Sequence, residues 1–208
     1  MHFLLLRWLW RLVIWAIFLF RTSRLQLRLS AAHPDRAGGL GFLTLAHSTL
    51  ALVTFPFAIL WAAGFGESFV HGRMTADELK PMLAILVLLV AAVFVGPLLV
   101  FTPKLVRLRQ RALILYGRLS NEYCRQFERR WISAEPRPAD ESLLGSADIQ
   151  SLADLQNSVG AVRAMRPIPF DRTLVVSLLA ATLLPVLPLL LLILPLTELL
   201  KRALSTFL

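Results

Sequence analysis

The sequence predicts an all-α integral membrane bundle: three transmembrane helices, a fourth apolar segment at the N-terminus, and a cytoplasmic hairpin of amphipathic helices. Three observations predict it. The stretches Gly41–Phe65, Met82–Phe101 and Thr173–Thr197 contain no Asp, Glu, Lys or Arg, and each matches the length of helix needed to cross a bilayer core. Hydrophobic residues make up 57% of the chain, too much for an aqueous domain with alternating polar positions, and apolar runs of this length satisfy their backbone in lipid only as helices. The charge is uneven: Lys and Arg outnumber Asp and Glu by 22 to 13, and they fall between the apolar runs. That excess fits anionic lipid headgroups, not nucleic acid, as the partner.

Taken in order, Phe3–Phe20 is apolar except for Arg7 and Arg11, one helical turn apart, with Trp8, Trp10 and Trp15 nearby. Either it spans, with the arginines snorkelling near the outer end, or it lies flat with a basic stripe Arg7, Arg11, Arg21, Arg28 toward the headgroups. A basic run follows its apolar core directly, which argues against a cleaved signal peptide. The segment 21–40 carries Arg21, Arg24, Arg28 and Arg36, and Thr102–Arg172 carries twelve further Lys or Arg residues. The positive-inside rule places both in the cytoplasm, and 66–81 and 198–208, poor in basic residues, in the periplasm of a bacterial inner membrane. The predicted organisation is therefore membrane helices over 1–101, a cytoplasmic helical segment over 102–172, and a last span with a short tail over 173–208.

Within the cytoplasmic segment, Thr102-Pro103 reads as a cap followed by a first-turn proline. Leu105, Leu108, Ala112, Leu115, Leu119, Tyr123 and Phe127 then recur at helical spacing. Ser133–Gly145, broken by Pro136 and Pro138, reads as a loop. Ser146 caps a second helix with Ile149, Leu152, Leu155, Val159 and Val162 on one face, which ends before Pro167. Asp171 is placed to cap the last span. The single cysteine, Cys124, excludes any disulfide within the chain.

Polar residues inside the spans are few. Thr44, His47, Ser48 and Thr54 share one side of the second span, which is expected to face helices or a pore. His47 is the intramembrane candidate for proton or ion handling, with a helix-to-helix hydrogen bond to a hydroxyl as the plainer alternative. Gly96-Pro97, Pro185, Pro188 and Pro195 mark expected kinks.

The run Ala32–Gly41 (AHPDRAGGLG) is the most chemically suggestive. His33 and Asp35 are candidates for an acid/base pair with Arg36 beside them. The amides around Gly38 and Gly39, with Arg36, are candidates to cradle a phosphate or headgroup. The plainer alternative is a turn started by Pro34 and Asp35, in which the glycines lead the chain back into the membrane and Arg36 snorkels. Nucleotide-binding, zinc and serine-hydrolase signatures are missing, so the sequence calls for no cofactor and no metal.

His33-Pro34-Asp35 is also the hallmark tripeptide of J-domain co-chaperones, but there the following helix is soluble, whereas here a span follows. Over nearly its whole length the chain resembles an uncharacterised family of bacterial multi-pass inner-membrane proteins. The resemblance rests on Arg7–Arg11 (RWLWR), His33–Phe42 (HPDRAGGLGF), Gly145–Leu155 (GSADIQSLADL) and Met165-Arg166-Pro167. It implies further membrane helices upstream, with this chain corresponding to the C-terminal portion, and implies no particular activity. Two functional expectations follow. One is a non-enzymatic membrane protein: a small channel, a transporter component, or a scaffold that forms a homo-oligomer or binds a membrane-protein partner. The other is a lipid- or headgroup-handling enzyme built on His33, Asp35 and Arg36.

Overall fold

The computed structural model describes residues 2–133 and 145–189. The chain is all-helical, with no strand among the described residues. Three helical stretches are long and apolar enough to cross a membrane: Phe42–Val70, Asp77–Ile132 and Arg172–Leu189. Only 29%, 11% and 33% of their most apolar parts are buried inside the chain, so most of this apolar surface is left uncovered by the described residues. The loop expected over Ser133–Gly145, Pro195 and the tail 198–208 lie largely or wholly outside the described residues.

Two compact units are present, one from residues 2–17, 43–97 and 171–189, the other from 18–42 and 98–170. The first holds most of the apolar helices. Helix α1 (His2–Arg24) is unbroken; its residues up to Ile17 belong here. The predicted second span is two helices, α2 (Phe42–Ala51) and α3 (Thr54–Val70). Pro56 explains the break: its ring and missing N–H disrupt the preceding turn. There Leu52, Val53 and Phe55 instead donate to the carbonyls of Thr49, Leu50 and Leu52, the tighter three-residue spacing.

Helix α4 (Ala76–Val95) starts where the Thr75 N–H donates to Glu78 Oε2 at 2.7 Å. It passes at Gly96–Phe101 into a 3-10 segment, the expected disturbance at Gly96-Pro97. Helix α7 (Arg172–Leu183) is capped as expected: Asp171 Oδ1 accepts from the Thr173 and Leu174 amides at 2.9 and 3.3 Å. A 3-10 turn at Leu184–Val186 surrounds Pro185. A core of Ala62, Phe65, Leu79, Val186 and Leu189 joins the late part of α3, the first turn of α4 and the end of the last helix. These pairings make α4 antiparallel to α3 and α7 parallel to it.

In the second unit, α5 (Thr102–Phe127) and α6 (Ala147–Ala164) pack antiparallel. Arg109 reaches the Arg163 carbonyl at one end, and the Tyr123 hydroxyl donates to the Asp148 carbonyl at 2.9 Å at the other. Thr102 does not cap α5. The 3-10 segment runs into the helix without leaving helical dihedrals, so the cap position is Phe101, with Pro103 in the first turn. The apolar face of α5 is only partly covered: Leu105 and Ala112 are buried, whereas Leu115 and Leu119 are exposed.

At its end α5 widens into a π turn, Glu128–Ile132, closed by the Ser133 amide on the Glu128 carbonyl at 2.8 Å. A π turn rotates less per residue than an α-helix. It therefore brings Trp131 back toward the α6 side, where its indole donates to Asp148 Oδ2 at 2.9 Å beside Arg130 at 3.1 Å. Ser146 caps α6 as expected, accepting from the Ile149 amide. On α6, Val162 is buried and Leu152, Leu155 and Val159 are half-buried, but Ile149 is exposed.

Candidate functional site

The run 32–41 folds around its own carboxylate. Pro34 fixes the turn, and Asp35 follows with Oδ1 accepting from the amides of Ala37 and Gly39 at 2.8 and 3.1 Å and Oδ2 from Gly41 at 2.7 Å. Backbone amides converging on one anion make an anion-binding concavity; here they come from every second residue and the anion is internal. Burial pushes the Asp35 carboxyl up. The amides of Ala37, Gly41 and Gly39 and the His33 imidazole outweigh that and hold it below the ordinary carboxylate value. The wrap needs left-handed backbone at Arg36, Gly38 and Gly39, with φ of 56°, 69° and 96°; for Arg36 this stores roughly 1–2 kcal/mol of strain. Gly41 is required sterically, because a Cβ there would sit 2.8 Å from Asp35 Cβ.

His33 Nδ1 lies 2.9 Å from Asp35 Oδ1, with the imidazole about half exposed. The Asp35 amide lies 3.3 Å from the same nitrogen. Arg36 projects its side chain outward and uses its carbonyl to accept the Arg166 amide at 2.7 Å. The Gly38 carbonyl accepts from the Ser30 amide at 3.3 Å. A Cβ on Gly38 would meet Leu105 at 3.2 Å and Leu108 and Met165 at 3.4 Å.

Arg166 is the residue that sequence reasoning passed over as a site component. Its Nη2 donates to the Asp35 carbonyl and its Nη1 to the Phe170 carbonyl, both at 3.1 Å. One guanidinium thus ties the loop to the connector before the last helix, the bridging that its planar fork suits. The sequence signal was slight: a basic residue before Pro167 and Pro169, in a segment that cannot continue a helix. Lys104 likewise holds the Leu25 carbonyl, pinning the basic segment to the start of α5.

The intramembrane candidates lie in the other unit. His47 is 1% exposed. Its Nδ1 is 3.0 Å from the Leu43 carbonyl and its Nε2 accepts from the Trp15 indole at 3.3 Å. This is the tautomer with the proton on Nδ1, and both ring nitrogens are engaged. The helix-to-helix bond exists, but its partner is an indole, not a hydroxyl. Thr44 and Thr54 are buried, whereas Ser48 turns its hydroxyl to the Leu45 carbonyl of its own helix at 2.8 Å.

Beside them an apolar groove of about 370 Å³ runs between α1, α3 and α4, from Leu5 to Leu12, Val53 to Trp61 and Leu86 to Phe94. Among the described residues no cluster of His, Cys, Asp or Glu could hold a metal ion. No protein-family model, no curated protein and no solved structure matches this chain.

Proposed function

We propose that the chain is a multi-pass protein of the bacterial inner membrane with a non-enzymatic role, an oligomeric scaffold whose uncovered apolar helix faces dock against lipid and other membrane helices. One observation carries this reading. The polar groups best suited to chemistry are engaged within the chain, Asp35 by three amides and His47 by Trp15 and Leu43, while most of the apolar helix surface is unburied.

In this reading α1 is a fourth span. It shares a groove with α3 and α4 over Leu5–Leu12 and reaches His47 of α2 at Trp15, so it runs antiparallel to the α2–α3 segment. The basic segments 21–40 and 102–172 then face the cytoplasm and anionic headgroups, and 66–81 and 198–208 the periplasm. Periplasmic-reporter fusions should be silent after Arg118 and active after Gly72, and the purified protein should run in detergent as a discrete oligomer and leave liposomes tight. Activity after Arg118 would overturn the orientation. A strict monomer, or ion flux through the vesicles, would overturn the scaffold.

A second reading rests on the 2.9 Å contact of His33 with Asp35. A carboxylate orienting an exposed imidazole is a general-base arrangement, and Arg36 supplies charge for a lipid phosphate. Loss of a lipid-modifying activity in His33→Ala, with the fold intact, is the result that would support it.

A further inference from the structure

Arg7 and Arg11 lie along α1 within the stretch that lines the groove, between Leu5 and Leu12. The opposite walls are Val53–Trp61, the middle of the apolar stretch Phe42–Val70, and Leu86–Phe94, the middle of the charge-free run Met82–Phe101. The two arginines therefore sit level with the centres of the neighbouring apolar helices, not at their ends. Helical phase turns them away from the groove: Leu5, Trp8, Leu9 and Leu12 line it, while Arg7 and Arg11 are exposed on other faces. Arg11 stacks on the Trp8 ring at 5.1 Å. Among the described residues neither arginine has a carboxylate partner.

We propose that Arg7 and Arg11 form a docking face for a partner membrane helix that carries carboxylates at mid-bilayer depth. The inference rests on the membrane reading above and goes beyond it by naming the chemistry of the partner. Arginine on the outer face of a helix at that depth is strongly disfavoured unless paired, and such residues ordinarily meet an opposite charge or a water-filled cavity. One turn of separation suits a partner helix with Asp or Glu at matching spacing, which a guanidinium can engage through two donors. A second copy of this chain does not supply that chemistry, because its three predicted spans contain no Asp or Glu.

The test uses the full chain in vesicles with a fluorescent apolar helical peptide of about 20 residues. The peptide carries either two Asp one turn apart at its centre or Leu at both positions. Energy transfer should show association of the Asp peptide at least about tenfold tighter than of the Leu peptide. The preference should vanish in Arg7→Leu/Arg11→Leu and survive in part in Arg7→Lys/Arg11→Lys. Equal association of the two peptides, or a preference that persists in the double Leu variant, overturns the proposal.

Depth is tested separately in a Cys124→Ser background with Trp10→Cys, an exposed position between the arginines. That cysteine should resist a membrane-impermeant thiol reagent. Rapid labelling would mean that this face is aqueous, a pore lining or a surface, and would overturn the proposal even where the reporter fusions uphold the spanning topology.

Discussion

Asp35→Ala tests whether the internal carboxylate holds the 31–41 loop together. The substitution removes the acceptor of three amide hydrogen bonds of 2.7 to 3.1 Å and the partner of His33. A hydrogen bond to a charged group contributes about 1.5–3 kcal/mol net. The carboxylate side chain is 20% exposed, so water recovers part of the loss, and neighbouring bonds do not add in full. We expect a destabilisation of about 3 kcal/mol for Asp35→Ala, and roughly half that for Asp35→Asn, whose amide oxygen still accepts. SDS titration in mixed micelles, followed by near-UV circular dichroism, measures it.

The pH dependence has a definite sign. The folded carboxyl lies below its ordinary value of 3.8, so its contribution is complete above that value and is lost as pH falls through the lower, folded one. The gap between wild type and Asp35→Ala should therefore hold from pH 8 to about pH 5 and close only below about pH 4. A variant within about 0.5 kcal/mol of wild type, or a gap undiminished in acid, would refute the reasoning.

Gly41→Ala drives a Cβ to 2.8 Å from Asp35 Cβ and should destabilise the same loop by about 2 kcal/mol or more; an unchanged midpoint in the same titration would count against it. Arg166→Lys keeps the charge but not the two-point fork across Asp35 and Phe170. It should cost about 1–2 kcal/mol, with faster proteolytic cleavage in the 165–171 connector as the readout. His47→Leu removes two hydrogen bonds in the first unit and should lower stability by about 1–2 kcal/mol without creating or changing ion flux in liposomes; a changed flux would point to conduction instead. Asp148→Ala removes the carboxylate that holds the Trp131 indole and Arg130 and leaves the Tyr123 hydroxyl on the backbone carbonyl; hydrogen exchange at the first turn of α6 should quicken by about tenfold.

The helical class and the three apolar stretches were readable because about 20 residues without charge leave few alternatives. The caps at Ser146 and Asp171 were equally readable, since capping needs only the local chain. What escaped was set at a distance. Thr102 looked like a cap, but whether a threonine caps or continues depends on the turn before it, and Gly96–Phe101 stayed helical. Pro56 lay inside the second apolar run and was overlooked because hydropathy counts its neighbours and not its missing N–H. Asp35 was legible as a turn former and Gly38 and Gly39 as hinges, yet the closure of the amides onto Asp35 depends on the loop doubling back, and its clasp by Arg166 spans more than a hundred residues. The partner of His47 had to come from another helix, and no spacing rule selects Trp15.

The break at Pro56 bears on biogenesis. Helix α2 has 10 residues, about 15 Å of rise, half a bilayer core. It is too short to cross alone, so in the membrane reading proposed above α2 and α3 partition into lipid as a single segment. Insertion is decided by summed apolarity and not by helical continuity, which makes the proline nearly silent at that stage. Its effect comes later, when helices pack: a stiff span becomes two rods joined by a tight turn, each free to settle at its own tilt. Replacing Pro56 would leave insertion efficiency unchanged while altering the final assembly, a separation of targeting from folding within one residue.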